Sequence, residues 1–220
     1  NQSDQTVQVS ITDVNEAPAF TSGGSSSQSE NTTTTGYVAA ATDPESSSLT
    51  YSIIGTGADD AFFTIDPVTG TLSFINPPDA EALSDANGGN DYEVNLRVSD
   101  GVNTADQAVT ISVGNVNEAP EFTTVNTLTI AEGATSPTLQ AAVTDPEGDS
   151  ITWSIVGGAD SALFSISGTG ELSLDAPENY EIPNDANGDN EHEVTIRAQD
   201  SAGNQSDQTV QVSITDVNEA

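Results

Sequence analysis

The sequence predicts an all-β chain folded as seven-stranded Greek-key β-sandwiches in tandem. Three observations predict it. The tetrapeptide Val-Asn-Glu-Ala occurs at 14–17, 116–119 and 217–220, with the Asn-Glu pairs spaced 102 and then 101 residues apart. An alternating run precedes each copy: Val7, Val9, Ile11; Val109, Ile111, Val113; Val210, Val212, Ile214. Period-two alternation is the mark of a half-buried strand. Residues 1–17 are also identical to residues 204–220, at an offset of 203. The chain therefore divides into 1–17, the last strand and linker of a preceding repeat, and two repeats, 18–119 and 120–220. Units of about 100 residues are large enough to bury a core. Stacked units of this kind contact chiefly their neighbours.

The elements follow in order. In the second unit Leu128 and Ile130 alternate with threonines, then come Leu139, Ala141 and Val143. Ile151, Trp153 and Ile155 make the next strand, then Leu163, Phe164 and Ile166, then Leu172 and Leu174. Val194, Ile196 and Ala198 precede the closing strand Val210–Ile214. Seven short strands with Gly, Asn and Pro turns suit an immunoglobulin-like sandwich, without its Cys-Trp-Cys signature. The first unit repeats the scheme with Tyr37/Ala39/Ala41, Leu49/Tyr51/Ile53, Phe62/Phe63/Ile65, Leu72/Phe74 and Val94/Leu96/Val98. Its opening is the exception. Ser26 and Gln28 stand where the second unit has Leu128 and Ile130, in a Gly/Ser-rich run expected to be flexible. Pro18 and Pro120 end the hinges, where a residue without an N–H stops a strand ladder.

Composition sets the chemistry. There are 35 acidic residues against two arginines, a net charge of −33. Such a chain repels itself unless cations neutralise it. It does not suit nucleic acid, whose phosphates need a basic surface. High charge with 34% hydrophobic residues is compatible with disorder, but the regular strands speak against it. Cysteine is absent, which excludes thiolate metal sites and thiol catalysis and does not by itself place the chain in a compartment. No apolar run is long enough for a bilayer span, and no signal peptide is recognisable, so the expectation is either a chain soluble by itself or, in first place, an interior piece of something longer.

The carboxylates recur at matched strand ends. Glu30 and Glu132 end the first strand; Asp43-Pro44-Glu45 and Asp145-Pro146-Glu147 end the second. Asp79-Ala80-Glu81 matches Asn179-Tyr180-Glu181, Asp100 and Asp200 end the sixth strand, and Glu16, Glu118 and Glu219 lie in the hinges. End-to-end stacking is expected to bring Glu30, Asp79, Glu81 and Glu118 together with Asp145, Glu147 and Asp200 about residues 117–120. Carboxylates so gathered require a counter-charge. Ca²⁺ takes six to eight hard oxygens and tolerates bidentate carboxylates, whereas Mg²⁺ demands a tighter octahedron. Zinc prefers His or Cys, and there is one histidine.

The set Glu, Asp-x-Glu, Ala-x-Asp-x-Glu, a late Asp before a Gly turn and Asp-x-Asn-Glu-Ala-Pro resembles the cadherin repeat, above all the bacterial cadherin-like repeats of large surface proteins. The resemblance covers both units and implies two or three Ca²⁺ at each linker. By position it implies the ligands Glu30, Asp79, Glu81 and Glu118 with the Asn117 carbonyl, and Asp145, Glu147 and Asp200. At the flanking linkers it implies Asp13, Asn15, Glu16, Asp43, Glu45 and Asp100, and Glu132, Glu181 and Glu219. The sequence departs from animal cadherins at Glu118, usually Asp, at Ala119, usually Asn, and at Asn115, which stands where Asp13 and Asp216 stand in the other copies.

Other features have plainer readings. Asp43-Pro44-Glu45 alone is a type I turn. Asp185-Ala186-Asn187-Gly188-Asp189-Asn190 looks like half an EF-hand loop without its twelfth-position Glu, so an Asx-rich turn is the first reading and a separate calcium the second. Arg97 and Arg197 are read as structural ion pairs, Trp153 as core, and His192, opposite Tyr92 in the alignment, as an exposed strand residue.

The function these features imply is an extracellular, cell-surface module, stiffened by calcium and acting as stalk, adhesion element or self-assembling array. The expected partners are neighbouring repeats and other copies. A polysaccharide- or partner-cell-binding module is the alternative, and an exposed aromatic cluster would favour it. No nucleophile motif accompanies His192, so no enzyme is expected. Residues 5–12 are expected to be extended and ordered only against a foreign edge, with the weak opening segment 22–29 of the first unit a candidate place.

Overall fold

A computed structural model describes residues 3–45, 48–134 and 138–218. The chain falls into two compact units, 1–116 and 117–220. Glu219 lies outside the described residues.

In unit 1, residues 3–18 form no strand. The strands that follow are β1 (Ala19–Phe20), β2 (Ser25–Ser29), β3 (Thr34–Val38), β4 (Ala41–Thr42) and β5 (Thr50–Ile53). A 3-10 turn at Asp60–Phe62 leads into β6 (Phe63–Ile65), then β7 (Thr71–Phe74), β8 (Asp91–Ser99) and β9 (Thr104–Gly114). One sheet has the order β2-β9-β8-β5, the other β3-β7-β6, and β1 pairs with β4. The expected first and second strands are each broken in two. β1 pairs antiparallel with β4 as a separate two-stranded ladder, and β2 then joins β9 in parallel.

Unit 2 repeats this with β10 (Glu121–Phe122), β11 (Thr127–Ala131), β12 (Thr138–Gln140), β13 (Val143–Thr144), β14 (Thr152–Gly157), β15 (Phe164–Ile166), β16 (Glu171–Leu174), β17 (Glu191–Gln199) and β18 (Gln205–Thr215). The sheets are β11-β18-β17-β14 and β12-β16-β15, with β10 on β13.

The cores follow from the alternation. Val94, Leu96, Val98, Val109 and Ile111 are buried with Phe63, Leu72, Phe74 and Tyr92; Val194, Ile196, Val210, Val212 and Ile214 are buried with Phe164 and Leu172. Trp153 is half-buried against the second core and meets Phe122 edge-on at 5.9 Å. Tight turns return the strands. At Gly70 (φ +72°) a Cβ would stand 2.3 Å from the Ala39 carbonyl oxygen, so only glycine fits.

Three expectations are corrected. The Gly/Ser-rich opening of unit 1 is not a flexible, unfilled edge: Ser25 to Ser29 register with Thr110 to Gly114. Backbone bonding carries this strand, and its inward Ser26 hydroxyl donates to the Thr35 carbonyl at 3.0 Å. His192 is fully buried, not exposed, because it lies on the same face of β17 as Val194 and Ile196. Phe62 is 38% exposed and belongs to the rim, although it still meets Tyr92 edge-on at 5.3 Å.

The Asp185 loop is the Asx-rich turn. Asp185 Oδ1 accepts the N–H groups of Asn187, Gly188 and Asp189, and Oδ2 accepts that of Asn190. A carboxylate already facing so many donors is satisfied by them rather than by a cation. Asp160, buried, joins this loop to β17 by accepting from Ala186 at 2.6 Å and Glu193 at 2.8 Å; Asp59 does the same from Ala86 and Glu93. The arginines are ion-paired as expected, Arg97 forked onto Asp106 and Arg197 onto Asp207.

Candidate metal centre

Each unit has an end where the linker enters and an end where it leaves, and carboxylates gather at both. At the entry of unit 2, β17 ends on Asp200. Its Oδ1 accepts Gly203 N at 2.6 Å and Asn204 N at 2.8 Å, and its Oδ2 accepts the Asn117 amide at 2.5 Å. The Asn204 amide in turn donates to the Asn117 carbonyl at 2.8 Å. Burial pushes the Asp200 pKa up, but these donors outweigh it and hold the group below the ordinary carboxylate range. Glu118 N donates to Glu147 Oε2 at 3.3 Å, and the two side chains offer oxygens within 4.8 Å of each other. Asp145 Oδ1 accepts Asp149 N at 2.9 Å, while Asp145 Oδ2 is buried and receives no hydrogen bond.

The entry of unit 1 is built alike. Asn15 donates to Asp100 Oδ2 at 2.7 Å, Asn103 donates to the Asn15 carbonyl at 2.9 Å, and Glu16 N donates to Glu45 Oε2 at 3.2 Å. Asp43 Oδ1 accepts Glu45 N at 3.0 Å. The Glu16 pKa is raised, first by a shared hydrogen bond with the Glu45 carboxyl and then by the charges of Glu45, Asp13 and Asp43. Asp13 is exposed and acts here through its charge. Asp100 is held low, foremost by Val102 N and Asn15.

At the exit of unit 1, Glu30 is buried and receives Ala80 N and Val116 N, each at 2.6 Å, one on each oxygen. Asp79 Oδ1 accepts Glu81 N and Ala82 N, which fixes the turn. Glu30, Asp79 and Glu81 offer oxygens that all lie within 4.8 Å of one another. At the exit of unit 2, Glu132 receives Tyr180 N at 2.9 Å and Val217 N at 2.7 Å, and the latter is the main reason its pKa is lowered. There the gathered oxygens belong to Glu132, Glu181 and Asp216.

The two exits therefore hold three carboxylates each by different means. Asp79 becomes Asn179, which keeps the turn through its Oδ1 bond to Ile182 N at 2.8 Å. Asn115, which donates to Glu81 at 2.8 Å, becomes Asp216. Charge lost from the turn is regained in the linker. Asp216 was noted from sequence only as the counterpart of Asn115 and not placed in the ligand set, and Asn103 and Asn204, which hold the linker carbonyls, were not singled out. Both exchanges, Asp79/Asn179 and Asn115/Asp216, stand in the alignment of the two units, and what the sequence did not show is that they compensate each other at one exit.

The donor set is all hard oxygen, with no sulfur and no imidazole, and it suits a calcium ion rather than zinc. A buried carboxylate oxygen without a donor, as at Asp145, costs free energy unless a positive charge meets it.

Comparison with known proteins agrees with this architecture. The Cadherin domain family matches residues 24–114, and the Bacterial Ig domain family matches residues 117–213. Protocadherin Fat 2 of Rattus norvegicus is 31% identical over 193 residues, covering 83% of this chain and 4% of the relative. Protocadherin Fat 4 of Homo sapiens is 29% identical over 187 residues, covering 81% and 4%. The chain thus spans a small fraction of these curated relatives. Among solved structures, human protocadherin-24 EC1-2 superposes with a TM-score of 0.58 at 21% identity, covering 91% of this chain and 99% of that one. Drosophila N-cadherin EC1-4 gives 0.52 at 18% identity, covering 91% and 50%. At such identities the likeness speaks for the fold. The chain is a tandem of cadherin-like, immunoglobulin-fold β-sandwich domains.

Proposed function

We propose that the chain is a calcium-binding tandem-repeat module of a bacterial surface protein, working outside the cell as part of a stalk or adhesive array. The observation that carries this reading is the repeated carboxylate architecture at the entry and exit of both units, with the donorless Asp145 Oδ2 within it. Asp145, Glu147, Glu118 and Asp200, with the Asn117 carbonyl, would hold calcium at the entry of unit 2. Glu30, Asp79 and Glu81 would do so at the exit of unit 1. Glu16, Asp43, Glu45 and Asp100, and Glu132, Glu181 and Asp216, are the corresponding sets on the flanking linkers.

Calcium supplies charge neutralisation. The chain's own residues do the positioning. Asp200 and Asp100 fix the linker amides, Asn204 and Asn103 fix the linker carbonyls, and Glu30 and Glu132 fix where the linker leaves. A linker so restrained on cation binding would turn from flexible to stiff, which is what a stalk requires. The bacterial assignment is supported by the Bacterial Ig match on residues 117–213.

Calorimetry on chelator-stripped protein tests the reading, with small-angle scattering alongside. At least two calcium ions should bind per chain, and the maximum dimension should become better defined as they do. Binding of no ion would overturn it, and magnesium competing at equal concentration would argue against a calcium site.

A further inference from the structure

We propose that unit 1 carries a pocket for a quaternary ammonium group on a small solute, at the end of β7 where the chain turns toward Asp79. Phe62, Phe74, Pro77, Pro78, Asp79 and Tyr92 line a pocket of about 200 Å³ there. Pockets for drug-sized molecules begin at about 300 Å³, so this one suits a headgroup rather than a large ligand.

Its walls follow from the strands. The 3-10 turn ends on Phe62, whose carbonyl accepts Ile75 N at 2.8 Å and so ties the turn to the end of β7. Tyr92, on the inward face of β8, meets Phe62 at 5.3 Å and Phe74 at 5.2 Å, edge-on in both cases, so the three rings make a corner. Asn31 N donates to the Pro78 carbonyl at 3.0 Å and Ala80 N to Glu30 at 2.6 Å, which hold the opposite side. Phe74, Pro78 and Tyr92 are buried and form the floor, while Phe62, Pro77 and Asp79 are exposed at the rim.

The floor lies in a negative field. The Tyr92 pKa is raised first by burial and then by the charges of Asp85, Asp59 and Asp79. Asp59 and Asp85 are buried and held by backbone donors, Asp59 by Ala86 N and Glu93 N, Asp85 by Gly89 N and Asn90 N. The field therefore does not depend on Asp79 alone. It repels anions and gives a neutral solute no advantage. A bare ammonium is strongly hydrated and seeks three acceptors, which apolar walls do not supply. A quaternary ammonium carries its charge under methyl groups and is attracted to aromatic faces. An adjoining phosphate would meet the same carboxylates, so the cation alone is the better fit. The chain has no lysine, so no second copy of it supplies an amine.

Unit 2 is built differently in these columns. Leu163, Leu174, Glu178, Asn184 and His192 stand where Phe62, Phe74, Pro78, Ser84 and Tyr92 stand. Both rim and floor phenylalanines are lost, and the His192 imidazole lies 3.8 Å from Glu178. Unit 2 is thus an internal control.

The chain has four tyrosines, Tyr37, Tyr51 and Tyr92 in unit 1 and Tyr180 in unit 2, so tyrosine-labelled full-length protein gives a short nuclear magnetic resonance spectrum, with Tyr92 assigned from the signal missing in Y92F. Choline is titrated in chelator, with sodium chloride holding ionic strength constant. A saturable shift of the Tyr92 ring signal is expected, with Tyr180 unmoved. The neutral carbon isostere dimethylbutanol should bind tenfold more weakly or worse, and phosphocholine more weakly than choline. F62L keeps an apolar filler and removes the ring face, and should lose affinity several-fold. The isostere comparison uses the natural chain, so it decides even if F62L does not fold. Equal shifts at all four tyrosines would show counterion condensation only. That result, no saturable shift, equal binding of the isostere, preference for phosphocholine or undiminished affinity in folded F62L would each overturn the proposal. Calcium is absent throughout, so failure here is separate from failure of the calcium reading.

Discussion

Glu30 Oε1 accepts the backbone N–H of Val116 at 2.6 Å, across 86 residues of sequence. Its other oxygen accepts Ala80 N at the same distance, so one buried carboxylate fixes both the exit of the linker and the turn that carries Asp79 and Glu81. Glu30→Ala strands both donors. At about 1–3 kcal/mol for each buried group left unsatisfied, unit 1 should lose several kcal/mol even in chelator. Urea unfolding followed by near-ultraviolet circular dichroism measures it. A loss confined to calcium-loaded protein would mean that Glu30 is a ligand and not an organiser.

Asp145 separates the two roles in the other direction. Its Oδ2 has no donor, and its Oδ1 needs only Asp149 N. Asp145→Asn keeps that acceptor and removes a negative charge from a crowded site. Stability without calcium should be unchanged or slightly higher, while calcium affinity at this site should fall by ~10-fold or more, since affinity follows ligand charge. Calorimetry on the variant decides it; undiminished affinity would remove Asp145 from the ligand set.

Acid should act on the Asx turns. Burial pushes Asp185 up, but the N–H groups of Gly188, Asn190, Asn187 and Asp189 outweigh it and hold its pKa low; Asp85 is held low in the same way. A depressed carboxylate contributes stability that is complete above its unfolded pKa of about 3.9 and disappears as pH falls through the folded value below that. Trp153 emission should thus show unit 2 losing stability below about pH 4. Asp185→Asn should flatten that acid limb and lower stability at neutral pH. An unchanged acid limb would mean that other carboxylates control it.

His192 should behave as core. It is fully buried, meets Phe164 edge-on at 6.1 Å, and places Nε2 3.3 Å from Asn184 Oδ1 and 3.8 Å from Glu178 Oε2. His192→Ala leaves a cavity and takes the ring partner from Asn184 Oδ1, at a cost of about 2–4 kcal/mol to unit 2. Denaturation followed by Trp153 fluorescence checks this, and a change within error would return His192 to the surface.

Much of this was legible in the residues, for reasons that also mark the limits. β8, β9, β17 and β18 are long, central and alternate without a break, so period and burial coincide. His192 was misread by alignment with Tyr92 alone, although parity with Val194 already placed it inward; Tyr92 is itself buried. β2 was illegible to any hydrophobic pattern because its inward residues are serine and glutamine, held by backbone pairing and side-chain bonds. The entry and exit carboxylates were legible as recurring motifs. Asp216 was visible only as the counterpart of Asn115, and its place in the carboxylate group follows from its position beside Glu132 and Glu181, where the turn carries the neutral Asn179. The buried pair Asp59 and Asp160 gave no signal because a carboxylate that caps backbone donors has no fixed spacing.

The two arginines sit mid-strand in β8 and β17, each forked onto a carboxylate of the adjoining strand, and the chain has no lysine. A protease that cuts after basic residues therefore finds only two bonds in 220 residues, both inside hydrogen-bonded ladders at the heart of a sheet. Local fraying does not release a central strand, so cleavage there must wait for a whole unit to open. For an exposed module this amounts to resistance to tryptic digestion written into the composition, with the folding equilibrium of each sandwich setting its lifetime.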